Sequence, residues 1–482
     1  MSTHVEQAVI LAAGLGSRIR SNEQPLPKPL VRVGGLTLIE RTILTAKAGG
    51  VKKFVIVTGF AGELVQATVA GNPALSDLDI TFVKNERYTL KNGVSVLCAR
   101  PHIRGEFFLM MADHIVDRAI FQKLQREPAR GGLVLAVDRK LDTIFDMDDA
   151  TKVKIGDRES IAEIGKALTD FDAVDTGVFR CDPALFDALS SFYEQNGDAS
   201  LSEGVQTLAR SGKARVADIG DAWWQDVDDL PSRKIAEQVL FASLTKKSDG
   251  PVSRHINRRF SKTLTRLVMN TSIVPNHMTA LGLVLGIAAA VVTAMVTPAS
   301  LWLLALGAVL YQVSSMIDGC DGEIARLKFL HSSTGEWFDT ISDDVINLGY
   351  QLALGFAMYR LSGEKLWLNL GVGSFVIGWF VAGLLYKKLI ASGKGTHLAL
   401  EWSFQKGEKN LFARFCERVE FMARRDFYAL ALMVLVLAGL SKFAVLMSFV
   451  TVTLIFVQWT LTAISEAAAG RRENDETSQN VA

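Results

Sequence analysis

The stretch Asp318–Asp343 reads DGCDGEIARLKFLHSSTGEWFDTISD. Asp318 and Asp321 lie three apart, and Asp339 and Asp343 four apart, so each pair shares one face of a helix. Gly322, Ala325, Arg326 and Gly335 sit between the pairs. An apolar run, Leu301–Ile317, leads in, and another, Val345–Tyr359, leads out. Ionisable groups at the ends of membrane-length apolar segments are expensive to keep, so they point to function first. Carboxylates so placed can hold divalent cations, with one left over as a base.

The spacing D-x2-D-G-x2-A-R-x8-G-x3-D-x3-D resembles the signature of the CDP-alcohol phosphotransferase family, matched at every fixed position. The resemblance extends from about Pro251 to the C-terminus. It implies a polytopic membrane enzyme that moves a phospho-alcohol from a CDP carrier to a second alcohol and releases CMP. It further implies Asp318, Asp321 and Asp339 as ligands of one or two Mg²⁺ or Mn²⁺ ions that clamp the diphosphate. Gly322 would admit the nucleotide and Arg326 would reach a phosphate. Asp343 is then the candidate base, with a metal-bridging role as the alternative. A phosphorylated acceptor needs cations at the same level; Lys387, Lys388, Arg424, Arg425 and Arg254 are the candidates. Membrane families of this kind are commonly dimeric, so a homodimer through the membrane domain is expected.

The rest of the second half fits this reading. Apolar segments run over about Met278–Val296, Leu301–Ile317, Val345–Tyr359, Trp367–Leu385, Phe427–Leu440 and Phe443–Ile464. Each approaches bilayer length once flanking residues are counted. Connections at 254–266, 386–425 and 470–472 are rich in Lys and Arg, and the intervening ones are not. The positive-inside rule then predicts six spans in a cell membrane, with both termini and the acidic stretch cytoplasmic. Ahead of the spans, SRHINRRFSKTLTRLV places Ile256, Phe260, Leu264 and Leu267 on one helix face, with Arg254, Arg258, Arg259, Lys262 and Arg266 around the rest. That pattern suits a helix at an anionic membrane surface.

The chain has 482 residues, too many for one ordinary core, and a net charge of +1, which gives no case for nucleic acid. Four scattered cysteines form no C-x-x-C pair, so neither a disulfide framework nor a zinc site is expected. No signal peptide is read at the start. Short apolar runs alternate with helical patterns from residue 5 to about 245: Ala8–Leu11, Lys53–Val57, Ile80–Val83, Glu106–Met111 and Gly132–Val137, with helices such as Leu38–Ala48 and Ala61–Val69. Such alternation predicts an α/β, Rossmann-like domain with a mainly parallel sheet. KKSDGP at 246–251 is the predicted joint. The expected domains are 1–245, a linker with interfacial helix at 246–270, the all-α six-helix transmembrane domain at 271–470, and a disordered tail at 471–482.

The first domain opens with AVILAAGLGSRIRSNEQPLPKPL. The short strand Ala8–Leu11 feeds a loop with Gly14, Gly16, Ser17 and Arg18, in which Leu11, Ala12, Ala13, Gly14 and Gly16 are the candidate nucleotide-binding residues, and Lys28 sits between two prolines. Glycines let backbone N–H groups close around phosphate, and Arg18 and Lys28 can neutralise it. A dinucleotide loop would need a third glycine, and a Walker loop a Gly-Lys-Ser/Thr. The stretch resembles the start of sugar-phosphate nucleotidyltransferases. That resemblance implies Asp113 in MMADHIVD as a metal ligand, with Asp226 or Asp228 in WWQDVDDLP as its partner. It implies Asn92 on the nucleotide or sugar side, and Lys166 and Gly177 at the acceptor phosphate. Together the halves resemble the bifunctional family that joins an inositol-1-phosphate cytidylyltransferase to a di-myo-inositol-phosphate-phosphate synthase. The substrates so implied are CTP, inositol phosphate and the CDP-alcohol. Transfer to a lipid acceptor, a different activated polyol and a non-catalytic membrane scaffold are the alternatives.

Overall fold

The computed structural model describes residues 4–16, 18, 26–245, 249–392 and 424–479. Ser17, residues 246–248 of the expected joint and residues 393–423 of the basic connection lie outside them. The chain divides into two units, Met1–Ala242 and Ser243–Ala482.

Among the described residues the first unit carries thirteen strands: β1 (Gln7–Ala12), β2 (Arg32–Val33), β3 (Leu36–Thr37), β4 (Lys53–Thr58), β5 (Asp79–Lys84), β6 (Phe107–Met111), β7 (His114–Val116), β8 (Leu133–Asp138), β9 (Lys152–Ile155), β10 (Ile161–Gly165), β11 (Ala173–Cys181), β12 (Ala214–Asp218) and β13 (Trp224–Asp226). Its helices are α1 (Leu38–Ala48), α2 (Gly62–Ala70), α3 (Asn92–Cys98), α4 (Arg118–Leu124), α5 (Ala184–Asn196), α6 (Leu201–Arg210) and α7 (Leu230–Ser243). One sheet runs β10-β9-β11-β6-β1-β4-β5, with β8 on β11 and β12 on β8. The continuous apolar run of β1 is buried beyond its first residue, the pattern of a central strand covered on both faces. A capping box of Thr37 and Glu40 starts α1 at its predicted position.

The four strands β6-β1-β4-β5 are parallel, as the sequence predicts. Beyond them the sheet is mixed: β11 runs antiparallel to β6, β8 and β9. No long helix separates β9, β10 and β11, and antiparallel neighbours need no crossover. From β1 the chain goes to β4 and β5 on one side, then returns to β6 on the other. Crevices form at the carboxyl ends of strands where the order reverses in this way. The Gly14–Gly16 loop and Asp113 follow those two strand ends. β7 then pairs with β13, which sets Asp226 opposite His114.

The second unit is helical: α8 (Arg258–Val268), α9 (Pro275–Ala294), α10 (Trp302–Lys328), α11 (Ser333–Ser362), α12 (Lys365–Ser392), α13 (Arg425–Leu437) and α14 (Ser441–Gln479). Four of these, Pro275–Ala294, Trp302–Lys328, Lys365–Ala391 and Ser441–Ala463, are long and apolar enough to cross a membrane. The second unit is thus a membrane domain. α11 carries Glu336, Asp339, Asp343 and Asp344 in its first turns, and α13 has 13 residues. Small residues let helices approach in lipid. A Cβ on Gly355 of α11 would lie 2.7 Å from the Cα of Gly371 on α12. The backbone of α14 stays helical through Gln479, into the stretch predicted to be disordered; 471–479 contains no Gly or Pro to stop it.

Candidate active sites

At the first site, β1 ends in buried Leu11 and Ala12, buried Ala13 follows, and the loop turns at Gly16 with φ +58°. A Cβ there would fall 2.5 Å from the Cβ of Lys28, so glycine alone fits. Lys28 opens a 3-10 turn and is flanked by Pro27 and Pro29, which fix the backbone that aims it. Its Nζ donates to Asp113 Oδ2 at 2.7 Å and also to Asp228. Arg18 Nη2 donates to Asp228 Oδ2 and to Asp149 Oδ2, each at 2.8 Å. Lys166 Nζ donates to the other oxygen of Asp149 at 2.5 Å. His114 Nδ1 lies 2.7 Å from Asp113 Oδ1, and its ring stacks on Trp224.

These groups line a cavity of about 370 Å³, together with Gly14, Asn92, Asp175 and Gly177. Asn92 also accepts from the Leu201 backbone N–H at 2.9 Å, which ties α3 to the start of α6. Asp226 lines the cavity as well, and its Oδ1 accepts from Gln225.

The electrostatics follow from these pairings. Burial would raise the Asp113 carboxyl, but Lys28 and His114 outweigh it and hold the group well below the usual range. Burial likewise opposes Lys28 and His114, and their acidic neighbours lift both above their ordinary values. Burial pushes Asp226 up, with Asp228 and Asp113 adding to the shift. Burial pushes Asp175 up to about 6. Asp149, which burial would raise, is drawn down to about 2 by Lys166 and Arg18. A protein cation already bridges Asp113 and Asp228, so this donor set fits a divalent ion.

At the second site, oxygens of Asp318, Asp339 and Asp343 lie within 4.8 Å of one another. Asp321 Oδ2 accepts from Thr279 Oγ1 of α9 at 2.6 Å, and the other oxygen takes the Gly322 N–H. Arg425, the first residue of α13, donates through Nη1 to Asp318 Oδ1 at 2.6 Å and to Asp343, and through Nη2 to Ser314 Oγ at 3.2 Å. The Oδ1 atom of Asp339 is buried without a hydrogen-bond partner. An orphaned carboxylate oxygen among two further carboxylates is the arrangement a hard cation completes.

Arg326 donates to the Leu244 carbonyl at 3.2 Å, and its guanidinium lies over Gly322. Of the cations proposed for an acceptor phosphate, the structure brings Arg425 to the carboxylates. Arg424 approaches Asp426 at 3.8 Å, and Lys387 stands exposed on α12. Gly335 donates its N–H to the capping Ser332 of α11.

Sequence reasoning missed His114, Asp149 and Asp175 at the first site, and Thr279 and Ser314 at the second. The acidic run DMDDA at 146–150 and the polar PNHMT opening of an apolar helix were the available signals.

Residues 8–200 match the family model described as MobA-like NTP transferase domain, and residues 272–464 that of CDP-alcohol phosphatidyltransferase. A protein of Thermococcus kodakarensis named bifunctional IPC transferase and DIPP synthase is 35% identical, over 75% of this chain and 78% of its own. A protein of the same name from Rubrobacter xylanophilus is 36% identical, over 74% and 79%. The first unit also matches the solved inositol-1-phosphate CTP transferase of T. maritima at 26% identity and a TM-score of 0.44, over 49% of this chain and 96% of that one.

Proposed function

Since the chain belongs to the bifunctional IPC transferase and DIPP synthase family, we propose that its first unit makes CDP-inositol from CTP and inositol phosphate, and that its second unit moves phosphoinositol from CDP-inositol to a second inositol phosphate and releases CMP. The observation that carries this reading is that each unit holds its own set of carboxylates bridged by a protein cation. Phosphoryl chemistry works chiefly by positioning and charge neutralisation, and such sets are built for it.

In the first step, an oxygen of the inositol phosphate attacks the α-phosphorus of CTP in line, and pyrophosphate leaves. Asp113 and Asp228 would hold a divalent ion, since Lys28 now joins them; Asp226 stands beside them. That ion, Mg²⁺ in this reading, would polarise the α-phosphate. Arg18 and Lys28 neutralise the leaving pyrophosphate, Gly14 and Gly16 leave the backbone open to phosphate, and Asn92 faces the nucleotide. Lys166, on the same cavity, binds the phosphate of the attacking monoester.

In the second step Asp318, Asp321 and Asp339 would hold Mg²⁺ or Mn²⁺ against the CDP diphosphate, with Arg326 on a phosphate and Gly322 leaving room. Arg425 exchanges its carboxylate partners for the acceptor phosphate. That exchange releases Asp343 to take the acceptor's hydroxyl proton, while CMP leaves. Residues 1–245 act as cytidylyltransferase, 246–270 as linker and interfacial helix, and 271–470 as phosphotransferase. In this reading the second unit crosses the membrane six times and dimerises there, with both sites cytoplasmic.

The test uses the purified full chain in detergent with CTP, Mg²⁺ and inositol phosphate, followed by mass spectrometry. CDP-inositol and pyrophosphate are the expected first products; their absence would sink the reading. Asp113→Ala should stop the first step alone and Asp343→Ala the second alone. A second-step product that forms only on adding lipid would replace the soluble acceptor with a lipid.

A further inference from the structure

Gly319 and Cys320 of the Asp318–Asp321 turn lie against Ser261 of α8, and with Glu323 they build a contact of their own. Glu323, two residues past Asp321, is fully buried. Its Oε1 accepts from Ser261 Oγ at 2.7 Å and Arg258 Nη1 at 3.0 Å, and its Oε2 from Thr265 Oγ1 at 2.8 Å. All three donors stand on α8. Ser261 and Thr265 are themselves fully buried and lie four apart, so α8 docks on α10 by a polar stripe. Its apolar Phe260 and Leu267, and Ile256 just ahead of it, are left exposed.

Gly319 makes the approach possible. A Cβ there would lie 3.2 Å from Arg258 Nη1 and 3.3 Å from Ser261 Oγ. The contact then continues outward. Arg258 also grips Asp249 with two bonds, Nε to Oδ2 at 2.9 Å and Nη2 to Oδ1 at 3.1 Å. Asp249 lies in the predicted joint. A few residues on, the Ser253 N–H donates to Asp426 Oδ2 at 2.8 Å, next to Arg425.

We propose that Glu323 is a positioning residue for the transferase site. A charge buried on α10 and held by three fixed donors sets the rotation of that helix about its axis. Asp318 and Asp321 share the helix, so their carboxylates are aimed by the same constraint. A 20° turn of the helix would move a side-chain oxygen about 2 Å, more than a metal–ligand bond tolerates. The Asp249–Arg258–Glu323 chain also fixes where the polypeptide enters the membrane unit, relative to the helix that carries the ligands.

This inference rests on the reading of the second site as a metal-dependent transferase, and the experiment separates the two. Mn²⁺ binding is followed by electron paramagnetic resonance on the full chain in detergent, carrying Asp113→Asn and Asp228→Asn to silence the first site. Glu323→Gln keeps the shape of the side chain and removes its charge. Gly319→Ala removes nothing and wedges a methyl between α10 and Arg258. Both should weaken Mn²⁺ binding, Glu323→Gln by about 10- to 100-fold, the range for residues that orient metal ligands. For both, kcat of the transfer should recover at saturating Mn²⁺, a split that simple loss of folded protein would not give. If both variants bind Mn²⁺ as tightly as their parent, the positioning role is overturned. A parent that binds no Mn²⁺ at this site overturns the metal reading itself, and the positioning role with it.

Discussion

Replacing Arg425 with Gln should move three measurable quantities in different directions. The guanidinium is 11% exposed and is shared between Asp318 and Asp343, which are 32% and 29% exposed. Breaking a fully buried pair by removing one partner costs about 3–5 kcal/mol. The partial exposure of both carboxylates reduces this to about 2 kcal/mol in metal-free protein. For a unit of this size that is a fall of about 4–8 °C in Tm. The same 2 kcal/mol has opposed the ion, because Arg425 competes for the carboxylates. Arg425→Gln should therefore bind Mn²⁺ about 30-fold more tightly. Saturating metal should close the Tm gap to the parent. Transfer from CDP-inositol should nonetheless fall about 100-fold, since the acceptor phosphate loses a charge-assisted contact of about 3 kcal/mol. Differential scanning in detergent with and without Mn²⁺, an equilibrium Mn²⁺ titration and initial transfer rates measure the three. Unchanged Mn²⁺ affinity together with an unchanged metal-free Tm would refute the idea that Arg425 holds the place of the ion.

Lys28→Met should reduce pyrophosphate release from CTP by about 100-fold or more, because its ammonium serves two carboxylates and the phosphates; transfer from supplied CDP-inositol should continue at the parental rate. Gly16→Ala combines a left-handed φ with a Cβ placed on Lys28, a strain of about 1–3 kcal/mol. A KM for CTP raised at least tenfold is expected, and a parental KM would show that the loop rearranges freely. Asp175 has a folded pKa near 6, above its ordinary 3.8. Its contribution to stability is thus full below about pH 4 and is lost as pH rises through 6. Asp175→Asn should accordingly be more stable than the parent at pH 8, by about 2 kcal/mol after allowance for partial exposure, with the gap closing by pH 4. Denaturant melts at the two pH values test this, and a gap equal at both would contradict it.

Elements whose identity rests on local pattern were legible in the sequence. The run AVILA announces a central strand, and the helical pattern of Leu38–Ala48 matches α1 to the residue, where the structure adds a capping box at Thr37. β9 and β10 were missed because they are short and their exposed and buried positions do not alternate cleanly. At the sites, spaced motifs were legible and long-range partners were not. Asp149 reaches Arg18 across 131 residues, and Arg425 reaches Asp318 across 107. No periodicity encodes such a pairing; only the sheet and the helix packing bring the two together. Glu323 illustrates the limit. It sits inside the motif without being one of its fixed positions, and the face it presents is fixed by α8, whose sequence reads as amphipathic towards lipid.

The two sites share one physical device, although they lie in unrelated folds. In the first, Lys28 joins Asp113 to Asp228; in the second, Arg425 joins Asp318 to Asp343. Two carboxylates held within bonding distance of one ion repel each other when that ion is absent, and the cost grows as water is excluded. A tethered side-chain cation offsets that cost in the metal-free protein. It is also already at the site when a phosphate arrives with its metal, so the same group can turn from carboxylate to phosphate without crossing solvent. The choice of cation follows the surroundings. Lysine suffices as a point charge in the first cavity. The second has two carboxylate oxygens and a serine to satisfy, and the forked donors of arginine reach Asp318, Asp343 and Ser314 together. Arg425→Lys should on this account fail to restore transfer, because one ammonium cannot span the same three acceptors, and full activity in that variant would show that charge alone is what the second site needs.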